Sequence, residues 1–269
     1  MEESYRTFFG FQREPFGTDL QLSEILQTPE IIAVTERFDY ALRIGAAALI
    51  TGEIGSGKST ALRYALGKLH PAEYATLYVT ASSGSILELY RQILSELGID
   101  TASSSRAVLL RLIRREIQEI VVGKKMKAVL IIDEASLLRL DVFSELHTIC
   151  QFHQDSKPYL PLILAGQNNL VDKLLYRHSQ PLASRIVARS HLEGTNRQGM
   201  EQYLHHHLTV AGVKKNLFDQ AAVTALHQAS GGLFRKANHL ARGALIAAAK
   251  AQSIAVSPEH VRLASTEIF

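Results

Sequence analysis

The chain has 269 residues, of which 46% are hydrophobic, and its formal net charge is +3 at neutral pH. This length and apolar content suffice for one large domain, or for one medium and one small domain. The single cysteine, Cys150, excludes an intramolecular disulfide, so we expect a reducing, cytoplasmic location. We expect neither a membrane span nor a signal peptide, and the modest positive charge permits nucleic-acid binding without requiring it.

Residues 52–59, with the sequence GEIGSGKS, fit the phosphate-binding loop pattern G-x-x-x-x-G-K-[ST] at every fixed position. Glycines free the backbone, so that successive N–H groups can converge on phosphate oxygens. Lys58 supplies charge for the β- and γ-phosphates, and the Ser59 hydroxyl can complete a Mg²⁺ shell. We therefore predict ATP and Mg²⁺ as cofactors. The predicted nucleotide contacts are Gly52, Glu53, Ile54, Gly55, Ser56, Gly57, Lys58, Ser59 and Thr60.

A second nucleotide element follows the apolar run 128–132, where Asp133 and Glu134 stand together. Five consecutive apolar residues favour a parallel strand covered on both faces, with Asp133 at the carboxyl end where such sheets bind ligands. Asp133 is predicted to hold Mg²⁺, and Glu134 to orient and deprotonate the attacking water. The pair therefore indicates hydrolysis rather than binding alone. The alternative interpretation is two exposed turn acids.

Strands alternate with helices up to about residue 192, and the rest of the chain is helical. This order predicts a parallel sheet wound on both faces, followed by an all-α lid, with domains at 1–193 and 194–269. The strand before the phosphate-binding loop and the acidic strand should be neighbours near the centre of the sheet. The predicted strands are 46–50, 74–79, 128–132, 161–165 and 186–192. The predicted helices are 60–66, 86–97, 106–122, 141–154, one from a capping box at Thr195, 217–229, 234–251 and one opened by Pro258.

The combination resembles the AAA+ ATPases, and more narrowly the ExeA/GspA-type branch with its transposition relatives of the TnsC/TniB type. The stretches that carry the resemblance are the amino-terminal 5–16, the two nucleotide motifs, LILAGQ at 162–167 and GGLFRKAN at 231–238. Together they span nearly the whole chain. Phe234 stands where that family usually has proline, and Ser136 where glutamine often follows the acidic pair. The implied fold is a P-loop AAA+ α/β core of five parallel strands with a helical lid.

The resemblance also implies roles for four further residues. Gln167 would contact the γ-phosphate or the attacking water, and Arg235 would reach the phosphates from the lid. Arg185 would be an arginine finger donated to a neighbouring subunit, with Arg189 the weaker choice. Phe16, together with 28–32, would wall the adenine.

Three function classes remain open at this point. A DNA-binding regulator of a transposase would form a ring or filament of identical subunits on duplex DNA, with ATP between them. The helix at 86–97 resembles an insertion of the DNA-binding initiator-type clade, and Ser83, Ser104 and Arg106 are the candidate DNA contacts. A secretion-complex assembly ATPase is the alternative. Its family usually continues into a membrane span, which this sequence lacks, and so we favour transposition. A signalling ATPase is the third class.

The run of three histidines at 205–207 is not expected to bind a metal, because adjacent helical side chains diverge by about 100°. We expect it to be a solvated helix face.

Overall fold

The computed structural model describes residues 2–266, with side chains from residue 5 onward. Its α-helices are α1 Glu2–Phe9, α2 Pro29–Ile44, α3 Lys58–Leu66, α4 Ile86–Glu96, α5 Arg106–Gln118, α6 Leu140–Leu146, α7 Asn169–Leu175, α8 Gln180–Ala183, α9 Arg197–Val210, α10 Gln220–Ser230, α11 Phe234–Lys250 and α12 Pro258–Thr266. Its strands are β1 Ala47–Gly52, β2 Tyr74–Thr80, β3 Lys127–Asp133, β4 Leu162–Gly166 and β5 Ile186–Leu192. No helix within this part of the chain is long and apolar enough to cross a membrane.

The five strands form one parallel sheet in the order β2-β3-β4-β1-β5, with helices on both faces. The predicted fold class is confirmed. One detail is wrong, because β1 and β3 are not adjacent: β4 pairs with both of them, through Thr51–Gly166 on one side and Ile132–Leu164 on the other. The carboxyl ends of β3, β4 and β1 therefore lie in a row at one edge of the sheet.

Burial explains which strands lie in the middle. Every residue of β1 and β4 is buried, and so is every residue of β3 except Lys127. Such uniformly apolar strands suit a parallel sheet covered on both faces. The two outer strands, β2 and β5, mix buried and more accessible positions, as expected for strands with a neighbour on one side only.

The chain divides into two compact units. The sheet unit comprises Pro29–Gly52 and Lys58–Leu192, and the helical unit comprises Met1–Thr28, Glu53–Gly57 and Glu193–Phe269. The amino-terminal segment thus groups with the carboxyl-terminal helices. The predicted domain boundary at 193/194 instead assigns the amino-terminal segment to the sheet domain. That boundary stays a prediction.

Aromatic and small side chains build the core of the helical unit. Tyr5, Phe11 and Phe16 are buried there among the apolar side chains of α9, α10 and α11. On α11, alanines recur at helical spacing on the buried face. The Cβ of an alanine at Gly243 would lie 2.9 Å from the Cβ of Ala264, so α11 and α12 pack nearly backbone to backbone. Small residues therefore set the distance between these helices.

Two predicted helix limits are wrong for reasons of backbone geometry. The helix predicted over 141–154 stops at Leu146, and a 3-10 turn to Cys150 follows. His153, Gln154 and Asp155 then have φ of 48°, 55° and 65°, which no right-handed helix accommodates. The capping box predicted at Thr195 is replaced by Asn196, whose side-chain oxygen accepts from the Gly199 N–H at 2.8 Å.

The histidine run is only partly solvated. His207 is 3% exposed and stacks on Phe16 with ring centroids 5.4 Å apart. Burial lowers the pKa of His207 to about 3, so it is a neutral core residue at physiological pH. The expectation of a solvated face is wrong for this residue. Within residues 2–266, no cluster of three or more His, Cys, Asp or Glu side chains is placed to hold a metal ion.

Gly232 lets the chain pass close to Thr195 where it enters the carboxyl-terminal helices. The Thr195 N–H donates to the Gly232 carbonyl at 2.9 Å. A Cβ at Gly232, where φ is +76°, would lie 2.3 Å from the Thr195 carbonyl oxygen. At the neighbouring Gly231, φ is +61° but a Cβ would meet nothing within 4 Å. Only Gly232 is therefore needed for close approach as well as for its backbone conformation.

These neighbours form a matched pair for a stability test. We expect Gly231→Ala to cost about 1 kcal/mol, because only the left-handed conformation is strained. Gly232→Ala should cost roughly 1–3 kcal/mol more, because backbone atoms must also move. Thermal and urea unfolding of the two variants would measure the difference. Equal stabilities would contradict the close crossing.

Candidate functional site

The phosphate-binding loop lies between β1 and α3. Gly55 and Gly57 have φ of +84° and +99°, a region that L side chains rarely adopt, so glycine is required at both positions. The hydroxyl of Ser56 is buried and has no hydrogen-bond partner among the described residues. An unpartnered buried hydroxyl in a glycine-shaped loop fits a phosphate group as its missing partner.

Lys58 opens α3 directly after the loop, two residues before the predicted helix 60–66. The residue is 7% exposed, and its Nζ donates to the Gly52 carbonyl at 2.9 Å. The ammonium is thereby held across the mouth of the loop, at the carboxyl end of β1. A desolvated ammonium in this place can attract the phosphates of a nucleotide.

Asp133 is the centre of the polar contacts in the sheet unit. The residue is only 6% exposed, and both of its carboxylate oxygens accept hydrogen bonds from protein donors. Oδ2 accepts from the Tyr78 hydroxyl at 2.6 Å and from the Ser59 hydroxyl at 3.3 Å, and Oδ1 accepts from the Glu134 N–H at 2.8 Å. The structure thus brings together the hydroxyl and the carboxylate that the sequence predicts as Mg²⁺ ligands. Hard oxygen donors of this kind are what Mg²⁺ prefers.

Glu134 has a left-handed backbone conformation, with φ of 52° and ψ of 31°. This conformation is uncommon for a residue that carries a Cβ, and it ends β3 abruptly. The side chain is only partly buried, unlike that of Asp133. The two acids therefore have different surroundings, as their different predicted roles require.

Gln167 follows the last residue of β4 and is partly exposed. At the preceding Gly166, a Cβ would lie 2.8 Å from the backbone nitrogen of Ser136. The end of β4 thus packs directly on the segment after Glu134, and Gln167 is at the same edge of the sheet as the two acids. Its contact with a phosphate or a water stays a prediction.

Arg235 lies in the helical unit, in the first turn of α11. Its backbone N–H donates to the Gly55 carbonyl at 3.3 Å, and a Cβ at Gly55 would lie 2.7 Å from the Arg235 Cβ. The side chain of Arg235 is exposed. The predicted sensor arginine is therefore next to the phosphate-binding loop, and glycine at position 55 allows this approach.

Arg185 is at the opposite edge of the sheet from Asp133, at the amino end of β5. Its guanidinium donates to the Pro181 carbonyl at 2.7 Å and forms an ion pair with Asp155. A cavity of about 520 Å³ lies at this edge, and both ion-pair residues line it. Arg185 is therefore not brought to the Asp133 cluster of its own chain. That position suits a group that acts on a neighbouring subunit.

Phe16 is 1% exposed, and its φ is +58°. The ring packs between His207 and Phe218, and its carbonyl accepts from Arg242 at 3.0 Å. The structure gives Phe16 a packing role, and its predicted contact with adenine stays a prediction. In the segment 28–32, Ile31 is buried and Ile32 is 43% exposed.

The candidate DNA contacts are all exposed. Ser83 lies in the loop after β2, Ser104 in the loop before α5, and Arg106 at the start of α5. Arg106 already forms an ion pair with Glu145, with an N–O distance of 2.6 Å. A phosphate would have to compete with this carboxylate.

Two residues that the sequence analysis missed support the acidic segment. Tyr78 donates to Asp133, as described above, and burial raises its pKa, as does the hydrogen bond to that carboxylate. Lys173 on α7 donates to the carbonyls of Ser136 and Leu138 at 2.6 and 2.7 Å, and burial lowers its pKa. No local motif marks either residue. The predicted strand 74–79 contains Tyr78, but only the strand order places it beside Asp133.

Comparison with known proteins agrees with this geometry. Residues 45–174 match the AAA domain family. General secretion pathway protein A of Aeromonas hydrophila is 31% identical over 274 aligned residues, which cover 98% of this chain but 48% of the relative. The chain thus spans about half the length of that protein.

Several solved structures have the same fold. Cdc6p of Pyrobaculum aerophilum superposes with a TM-score of 0.73 at 16% identity, over 94% of this chain and 70% of that one. The ORC1 protein of Aeropyrum pernix, solved in complex with DNA, gives a TM-score of 0.68 at 18% identity, over 94% and 68% of the two chains. At these identities the likeness shows the fold. Residues 45–174, just under half of the chain, thus resemble the AAA domain family, and the whole α/β core has the P-loop fold of these solved structures.

Binding and hydrolysis should separate in two variants. Lys58→Ala removes the buried ammonium and should abolish ATP binding. Glu134→Gln keeps the fold and the Asp133 contacts, and so it should bind ATP normally but hydrolyse it about 10²–10⁴-fold more slowly. Anisotropy of a labelled ATP analogue and phosphate release would measure the two properties.

The matched control is Lys68→Ala, because that exposed lysine follows the same helix and its ammonium lies 4.8 Å from the ring centroid of Tyr64. It should change neither property. Hydrolysis by Glu134→Gln at the wild-type rate would show that Glu134 is not the base.

Proposed function

We propose that this chain, which carries an AAA domain on a P-loop fold, is a Mg²⁺-dependent ATPase that forms homo-oligomers with ATP between subunits. The observation that carries the proposal is the cluster in which Ser59, Asp133 and Glu134 are joined by hydrogen bonds. A chain that only binds nucleotide requires one carboxylate at this edge, and a second acid has a use in hydrolysis.

The residues present fit both cofactors. The unpartnered Ser56 hydroxyl and the two left-handed glycines suit the phosphates, and the oxygens of Ser59 and Asp133 suit Mg²⁺. When bound, the ion neutralises charge on the β- and γ-phosphates. Lys58 adds a fixed positive charge, and the contribution of Arg235 to the phosphates stays a prediction.

Hydrolysis requires a water aligned with the γ-phosphorus. We assign Glu134 to accept the proton of that water as its oxygen bonds to phosphorus, while the bond to the bridging oxygen of ADP breaks. Gln167, at the end of the adjacent strand β4, would hold the water or a γ-phosphate oxygen. Asp133 accepts hydrogen bonds from three donors, which hold its carboxylate in place beside Ser59.

Arg185 would complete the site of a neighbouring subunit. It precedes β5, at the opposite end of the strands from the acidic cluster of its own chain. Charge that develops on the γ-phosphate during hydrolysis is what an arginine finger stabilises. To act in this way, Arg185 would have to exchange its ion pair with Asp155 for a phosphate.

Two biological roles compete for this ATPase. The relative named for the general secretion pathway favours a secretion-complex assembly role. Because the chain spans 48% of that relative, the point where it ends does not discriminate between roles.

The second role is DNA-dependent regulation of a transposase, for which the specific observation is the shared fold with an ORC1 protein solved in complex with DNA. Duplex DNA and a transposase as partners, a signalling role and a cytoplasmic location stay predictions.

Mixing two inactive variants tests the shared site. Arg185→Ala should bind ATP normally and lose hydrolysis by a factor on the order of 10³, because the finger acts only on the transition state. Lys58→Ala lacks nucleotide binding but keeps its finger. Mixed oligomers should regain phosphate release, because some interfaces join an intact loop to an intact arginine.

Arg189→Ala is the control, because Arg189 lies on β5, four residues after Arg185. This variant should retain activity. No recovery at any mixing ratio would contradict a finger in trans.

DNA binding can be tested on the same protein. We expect duplex binding that requires ATP, shows little sequence preference and weakens as salt rises, because short hydroxyls and one guanidinium contact phosphates rather than bases. Arg106→Ala should weaken it without loss of ATP binding. Anisotropy of a labelled random duplex with ATP and then ADP measures this.

Two neighbouring substitutions sharpen the DNA test. Glu145→Gln releases Arg106 from its ion pair and should strengthen binding a few-fold. Arg115→Ala, at an exposed arginine on the same helix paired with Glu116, should change it less. Absence of binding in both nucleotide states would favour the secretion role.

A further inference from the structure

Asp133 receives a hydrogen bond that the phosphate-binding chemistry does not account for. The Tyr78 hydroxyl donates to its Oδ2 at 2.6 Å, whereas the Ser59 hydroxyl reaches the same oxygen at 3.3 Å. The shorter of the two contacts comes from a strand that carries no nucleotide motif. Strand β2 therefore contributes a hydrogen-bond donor, the Tyr78 hydroxyl, to this buried carboxylate.

The register of the sheet explains how Tyr78 reaches that oxygen. Tyr78 pairs with Ile131, and Thr80 pairs with Asp133. Tyr78 thus lies two residues before the level of Asp133, and diagonal neighbours on adjacent strands are about 7–8 Å apart. An aromatic side chain with a terminal hydroxyl spans this distance, and a shorter polar side chain does not.

The other hydrogen bond to Asp133 fixes its second oxygen. The Glu134 N–H donates to Oδ1 at 2.8 Å. Because Tyr78 donates to Oδ2 and the Glu134 N–H donates to Oδ1, the carboxylate cannot rotate about its Cβ–Cγ bond without losing both hydrogen bonds. In this orientation Oδ2 also lies within 3.3 Å of the Ser59 hydroxyl.

We propose that Tyr78 is the positioning residue of the metal site: its hydroxyl holds the Asp133 carboxylate in the orientation in which Asp133 and Ser59 together bind Mg²⁺. The inference rests on the proposed function only in taking Asp133 as part of the Mg²⁺ site. Partners of this outer kind orient a ligating carboxylate, and their loss typically costs 10–100-fold in metal affinity. Tyr78 itself contacts neither metal nor nucleotide.

The test is the Mg²⁺ dependence of nucleotide binding rather than turnover. A labelled, non-hydrolysable ATP analogue would be titrated with Mg²⁺ and followed by anisotropy. Tyr78→Phe keeps the ring and removes only the hydroxyl. It should raise the half-saturating Mg²⁺ concentration roughly 10-fold or more and leave the affinity for the metal-free analogue unchanged.

The matched control is Tyr74→Phe. Tyr74 lies on the same strand, four residues away, and its hydroxyl accepts from Lys127 at 3.3 Å rather than touching Asp133. This variant should reproduce the wild-type Mg²⁺ curve. An unchanged curve for Tyr78→Phe would overturn the inference. An equal loss of metal-free binding would overturn it as well, since that result indicates a general structural effect.

Asp133→Ala separates this inference from the proposed function. If this variant raises the Mg²⁺ requirement and Tyr78→Phe does not, Asp133 belongs to the metal site but Tyr78 does not position it. If Asp133→Ala leaves the Mg²⁺ curve unchanged, the assignment of the metal site itself is wrong. A response of Asp133→Ala without a response of Tyr78→Phe therefore contradicts only the inference, whereas no response of Asp133→Ala contradicts the proposed metal site.

Discussion

A carboxylate buried at the end of an apolar strand is costly unless its oxygens are hydrogen-bonded, and Asp133 is 6% exposed. The surrounding elements meet that requirement together: β2 supplies a phenol, α3 a hydroxyl, and the turn after β3 a backbone N–H. The parallel register of β2 and β3 places the phenol. The edge at which the nucleotide motifs meet is therefore also the place where three separate parts of the sheet unit are tied to one charge.

Much of this arrangement follows from local sequence patterns. Apolar runs predicted all five strands to within one or two residues, because buried parallel strands need such runs. Strand order did not follow, since the runs of β1, β3 and β4 are alike and nothing in them says which lies between the others. The shortened α6 depends on three left-handed residues at 153–155, and none of His153, Gln154 or Asp155 is a glycine that would mark them.

The same distinction applies to the site. Lys58 and Ser59 could be predicted because they occupy fixed positions in the phosphate-binding loop pattern, and Asp133 because it ends an apolar run. Tyr78 and Lys173 could not be predicted, because their partners are distant in sequence. Tyr78 donates to Asp133, 55 positions away, and Lys173 donates to Ser136, 37 positions away. Phe16 shows the opposite error. An aromatic residue in a family-like segment suggested a ligand contact, whereas tertiary packing against His207 and Phe218 occupies its ring.

The left-handed backbone of Glu134 sets stability against activity at a single position. At φ of 52°, the backbone conformation is less strained for glycine or asparagine than for a residue with a longer side chain, by roughly 1 kcal/mol of conformational free energy. Selection for folding alone would thus remove the acid, and only selection for turnover would keep it. A directed-evolution experiment that selects only for thermal stability would therefore favour substitutions at position 134. On the role proposed for Glu134, the selected variants would be more stable proteins that bind ATP and no longer hydrolyse it.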